Sequence, residues 1–126
     1  MRIMVKHRNH LAVMSATDMN FTVASELSYN FSTGLNKAYK FSPLADQMVM
    51  STDGAVACLW ASDINKDLFM NYLDVTIYKA ETVFSGEYIP SDVTMDGGVN
   101  NVDANFILPN SGKNLFSPMY FFRKNN

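Results

Sequence analysis

Apolar and polar residues alternate in short runs through the first half of the chain. Arg2–Lys6 and Leu11–Ser15 read as strands on either side of a polar His7–His10 turn region. Met19–Val23 alternates loosely. Leu27–Phe31 alternates strictly, with Leu27, Tyr29 and Phe31 on one face and Ser28 and Asn30 on the other. A period of two is the signature of a strand. Ser32-Thr33-Gly34 interrupts the pattern, Leu35–Tyr39 fits a single helical turn, and Ser42-Pro43 interrupts again. Ala45–Met50 fits strand and helix equally. Asp53-Gly54 is a turn dipeptide, and Ala55–Trp60 reads as a buried strand.

The second half changes character. Half of the 12 acidic residues fall in two windows, Asp63, Asp67 and Asp74 in one and Asp92, Asp96 and Asp103 in the other, offset by 29 residues. Each window is expected to lead into a short helix. Val75, Ile77 and Tyr78 follow the first, with Val83 and Phe84 before Gly86. Phe106, Ile107 and Leu108 follow the second, with Pro109 or Gly112 as the stop. No amphipathic helix enters either window. Trp60-Ala61-Ser62 continues a strand-like run, and Tyr88-Ile89-Pro90 cannot be a helix interior, because proline lacks the N–H that a helix requires.

The window Asp92–Asp103 has the layout of an EF-hand calcium loop. Oxygen-bearing side chains stand at positions 1, 3, 5, 9 and 12: Asp92, Thr94, Asp96, Asn100 and Asp103. Calcium is a hard cation that takes about 6–8 oxygen ligands, and the EF-hand loop presents them at these offsets, with a main-chain carbonyl at position 7. Gly98 supplies that carbonyl, Gly97 suits the sharp turn at position 6, and Val99 fills the apolar position 8, expected to pack against the partner loop. The first window repeats the layout with Asp63, Asn65, Asp67, Asn71 and Asp74, with the Phe69 carbonyl at position 7 and Met70 at position 8. Leu68 departs from it at position 6. Clusters of Asp, Asn and Gly also make ordinary turns. Agreement of the two windows at five oxygen positions and one apolar position favours metal.

Composition narrows the remaining classes. A hydrophobic fraction of 48% supports a packed core rather than disorder, and a formal charge of −2 provides no basic field for nucleic acid. Cys58 is the one cysteine, so a disulfide framework and a cysteine-rich zinc site are excluded; it reads as a small core residue. No apolar run reaches the ~20 residues of a membrane helix. The start is broken by Lys6–His10 and does not read as a signal peptide. His7 and His10 read as structural or exposed. The chain has no Gly-rich phosphate loop, no nucleophile elbow and no recognisable acid–base pair, so no catalysis is expected. Phe116–Phe122 is expected to pack back onto the domain.

The duplicated half-EF-hand resembles the type I dockerin module. Asp92–Asp103 matches the dockerin loop at every ligand position, and Leu68 is where the first loop departs from it. A wider resemblance rests on Val5–Ser15, Tyr29–Gly34, Leu59–Asp63, Asp92–Gly97 and Asn110–Lys113. In that order they are similar to the C-terminal region of large secreted or surface bacterial adhesin-like proteins, where a β-rich module precedes two dockerin-like repeats. The resemblance implies an α+β chain. Its β-rich half, residues 1–60, is the end of a larger β-domain, a partial β-sandwich. Two calcium loop–helix units follow over 61–116, with a tail over 117–126. It also implies an extracellular or cell-surface location within a longer protein, calcium as cofactor, and a cohesin-like protein or the chain's own β-domain as partner. The alternatives are the non-catalytic end of a secreted carbohydrate-active enzyme, and a plain β-rich adhesion module in which the acidic windows are turns without metal.

Overall fold

The first four residues of each helix decide where it starts. Asn71 caps α1 (Tyr72–Glu81): its side chain accepts from the Leu73 N–H, and Asp74 reaches back to the Asn71 N–H. Asn100 and Asp103 do the same for α2 (Asn101–Ser111). Each capping box satisfies N–H groups that a helix start leaves without partners. Pro109 was expected as a possible stop, but it stands inside α2. It falls in the last turn, and the Gly112 N–H closes the helix on Leu108 and Asn110 carbonyls. The computed structural model describes residues 1–22, 26–41, 45–86 and 88–124. Val23, placed in a strand by its alternation, and the Ser42-Pro43 break lie outside them.

The fold is α+β. Its strands are two or three residues long and form separate antiparallel pairs: β1 (Met4–Val5) with β2 (Val13–Met14), β3 (Met48–Met50) with β4 (Ala57–Leu59), and β5 (Phe69–Met70) with β6 (Leu115–Phe116). Among the described residues these pairs do not join into the two layers of a sandwich. Strands this short expose too little of one face to cover a second sheet. A last short helix, α3, spans Met119–Lys124.

Two expected strands are absent. Met19–Thr22 and Leu27–Asn30 are irregular, and Phe31–Thr33 and Leu35–Lys37 are 3-10 turns. Side-chain bonds replace the ladder. The Tyr29 hydroxyl donates to the Lys37 carbonyl at 2.6 Å and accepts from the Ala16 N–H, while the Asn30 side chain caps the following turn. Cys58 is exposed rather than buried. It alternates with buried Ala57 on a strand with only one covered face.

The helices pack together around a shared core of Ile64, Val75, Tyr78, Ile89, Val93, Val99 and Ile107. Position 8 of each loop was expected to meet the other loop: Val99 shares the core with Ile64 of loop 1, whereas Met70 packs with Leu11 and Leu115. Each loop also pairs with the segment that follows the other unit's helix. Phe69–Met70 pairs with Leu115–Phe116 after α2, and Gly98 bridges Ser85 after α1. The exchange ties the two units reciprocally. The tail packs back as well: Ser117 donates through its N–H to Leu68 and through its hydroxyl to Ala12, and Met119 packs with Ala12, Met14 and Leu68.

Candidate metal centre

Loop 2, Asp92–Asp103, gathers its acids because its backbone folds them inward. Met95 at position 4 has φ 61° and Gly97 at position 6 has φ 94°. These two left-handed residues turn the chain around its own centre. The carboxylates of Asp92, Asp96 and Asp103 each place an oxygen within 4.8 Å of the others. Among the described residues, this is the one such cluster of three. Asp92 and Asp103 are buried, at 3% and 0% exposure, while Asp96 opens to solvent.

Backbone N–H groups hold the acids in place. Asp103 accepts from Asn100 and Thr94, and the Thr94 hydroxyl bridges Asp103 and Asp92 at 3.1 and 3.3 Å. Asp92 accepts from the N–H groups of Asp96 and Gly97, and Asp96 accepts from Gly98. The Asn100 side chain caps α2 through its oxygen and donates to the Gly98 carbonyl. Of the six expected positions, the three carboxylates converge and the Thr94 hydroxyl bridges two of them, whereas the Gly98 carbonyl and the Asn100 side-chain oxygen are taken by the Asn100 amide and the Val102 N–H.

Loop 1, Asp63–Asp74, repeats the two left-handed positions of loop 2. Lys66 has φ 61° and Leu68 φ 76°, at positions 4 and 6. Leu68 therefore adopts the turn that Gly97 adopts in loop 2, and its buried side chain packs with Ala12, Met14 and Met119. Asp74 accepts from Asn71, Ile64 and Asn65, Asp67 accepts from Phe69, and the Asn65 amide donates to Asp67. The Asn71 side chain caps α1, and Phe69 is taken up by the β5–β6 pair.

Asp63 is 3% exposed, and its Oδ1 has no hydrogen-bond partner. Burial pushes its carboxyl up to about 7, and the charges of Asp74 and Asp67 add to the shift. Burial also raises Asp74, against the N–H groups of Asn71, Ile64 and Asn65. Comparison with protein-family models, curated proteins and solved structures returned no match.

The donor set suits a hard divalent cation. It is all oxygen, four of its six carboxylates are buried, and ion pairs among the described residues reach only Asp18 and Asp46. Buried carboxylates ordinarily pair with a cation or ligate a metal. The orphaned Asp63 oxygen fits such a ligand. A divalent cation held there would supply the positive charge these carboxylates lack, and the surrounding N–H groups fix the carboxylates in place.

Sequence reasoning missed Arg8 and Asn9. Their side chains reach the start of loop 2, with Asn9 Nδ2 2.9 Å from both the Pro90 and Asp92 carbonyls. The polar run between two apolar strands marked the segment as unusual but gave no sign of a partner so far along the chain. His7 and His10 both place Nδ1 on the Asn9 Oδ1, at 3.1 and 2.8 Å, and so serve the same joint.

Proposed function

We propose that the chain is a non-catalytic, calcium-binding, dockerin-like module of an extracellular protein, used for stabilisation or protein docking. One observation carries the reading: three carboxylates converge within 4.8 Å, two of them buried, in a loop whose oxygen positions follow the EF-hand order. The matching left-handed positions of loop 1 and the orphaned Asp63 oxygen support a second site. Calcium is favoured over magnesium, because a 12-residue loop offering oxygens at the EF-hand positions suits calcium's longer bonds and higher coordination.

The β pairs of residues 1–60 then belong to a β-domain to which the loop–helix units are attached, a reading supported by the contacts of Arg8, Asn9 and Ser117. For docking, Leu73 and Val102 hold equivalent exposed positions at the starts of α1 and α2. They offer an apolar face to a cohesin-like partner. A calcium titration followed by thermal melting tests the core of the proposal. At ~100-fold excess over the dissociation constant the fold gains about 2.7 kcal/mol, a shift of roughly 10 °C for a chain of this size. Magnesium should give much less, and Asp96→Ala should remove most of the shift. Melting indifferent to calcium leaves the loops as turns.

A further inference from the structure

Asn9 is fully buried, and every polar atom of its side chain is engaged. Both of its amide contacts fall on the carbonyls of Pro90 and Asp92, at 2.9 Å each. Its oxygen takes His7 and His10, and its own carbonyl accepts from the Ser62 N–H, one residue before loop 1. Arg8 joins it from the same segment. The guanidinium lies 3.4 Å over the Tyr88 ring and donates to the Ile89 carbonyl at 3.3 Å and the Asp92 carbonyl at 3.1 Å. The N-terminal segment thus touches the entrance of both loops, and two of its side chains converge on one carbonyl.

That carbonyl belongs to position 1 of loop 2. The Asp92 carboxylate faces inward to Gly97 and Asp96, while its main chain is held from outside by Arg8 and Asn9. The residue is fixed on two sides.

We propose that Arg8 and Asn9 are positioning residues for the cation of loop 2, and that cation binding in turn tightens the N-terminal segment's hold on the loop–helix units. The inference rests on the calcium reading above. Fixing the Asp92 backbone spares the cation the work of ordering it, which is pre-organisation. Linkage makes the effect reciprocal: whatever the clamp adds to affinity, the cation returns to the clamp.

Calorimetry with calcium chloride on the wild type, Arg8→Met and Asn9→Ala tests this, with folding checked by circular dichroism. Arg8→Met keeps the aliphatic stem and removes the donors, so it serves if Asn9→Ala fails to fold. The tighter binding event should weaken about tenfold, roughly what losing one hydrogen bond to a buried carbonyl costs, and the weaker event should stay within about twofold. Hydrogen exchange supplies a readout independent of affinity. Amides of Leu11–Ser15 should exchange roughly tenfold slower with calcium than with chelator in the wild type, and equally in both for Asp96→Ala.

Three results overturn the proposal. The first is Arg8→Met folding with wild-type affinity. The second is Arg8→Met lowering the melting temperature equally with and without calcium, which marks a purely structural bond. The third is Leu11–Ser15 amides that ignore calcium which calorimetry shows to be bound. If the wild type binds no calcium, the functional reading falls first, and this proposal falls with it.

Discussion

Glu81 and Asn110 occupy equivalent places in the last turns of α1 and α2, and each reaches across to the entrance of the other unit's loop. Glu81 accepts from the Ser91 N–H at 3.0 Å, and Asn110 donates to the Ala61 carbonyl at 2.7 Å. One contact uses a carboxylate and an N–H, the other an amide and a carbonyl. The duplication has therefore kept the position and changed the chemistry.

The two contacts should differ in strength. Asn110 is buried, so Asn110→Ala leaves the Ala61 carbonyl without its partner and should cost about 2 kcal/mol. Glu81 is half-exposed, so water replaces it more easily and Glu81→Ala should cost roughly 1 kcal/mol or less. Denaturant melts at saturating calcium compare them, and a larger loss at Glu81 contradicts the burial argument.

Loop 2 should bind more tightly than loop 1. Both offer three carboxylates, but only the oxygens of Asp92, Asp96 and Asp103 already converge within 4.8 Å. Calorimetry on Asp96→Ala and Asp67→Ala should show the tighter event lost in the first variant and kept in the second.

Exchange at position 6 should act through backbone strain at Gly97 and through lost packing at Leu68. Gly97 has φ 94° with open space where a Cβ would stand, so Gly97→Ala meets backbone strain alone, about 1–2 kcal/mol, and should weaken loop 2 by about tenfold. Leu68→Gly relieves similar strain at φ 76° but removes a buried side chain. Loss of a buried leucine costs ~2–5 kcal/mol, so the fold should lose a net ~1–3 kcal/mol even as the turn relaxes. Melting with chelator present separates the fold from the metal.

Acid should loosen the joint at His10. Burial first, then the charges of His7 and Arg8, lowers its imidazole from 6.5 to about 4. The folded protein therefore binds this proton less readily than the unfolded chain. His10's contribution is intact above pH 6.5 and is lost as pH falls toward 4, by about 1–2 kcal/mol after allowing for partial exposure. Asp63, raised to about 7, acts in the opposite sense over the same range. The difference between the wild type and His10→Gln at each pH cancels it, and that difference should shrink as acid is added.

Cys58 should react with a thiol reagent in the folded protein at a rate close to that of the unfolded chain, because its side chain is exposed. Strong protection in the absence of denaturant counts against the outward register of β4.

The readable features were local. The oxygen spacing of Asp92, Thr94, Asp96, Asn100 and Asp103 lies within one loop. The helices were expected after Asp74 and Asp103, but the capping boxes Asn71–Asp74 and Asn100–Asp103 start them inside the windows, at Tyr72 and Asn101. Alternation misled at Leu27–Phe31, where Tyr29 and Asn30 spend their polar groups on turns rather than facing a neighbouring strand. It misled again at Cys58, because a run of apolar residues does not say which strand face is covered. The reach of Asn9 to Asp92 spans 83 residues, and no periodicity reports a bond over that distance.

The hydroxyl of Ser117 closes on the Ala12 carbonyl across 105 residues. During synthesis, Ala12 leaves the ribosome long before Ser117 exists. The apolar surface of Ala12, Met14 and Leu68 must wait for Met119 to cover it. Local helices form within microseconds, whereas closure across so long a span is slow and follows the rest. Completion therefore waits until the segment around Ser117 has been made, and a nascent chain halted short of residue 117 presents a sticky, unfinished edge to whatever chaperone stands nearest.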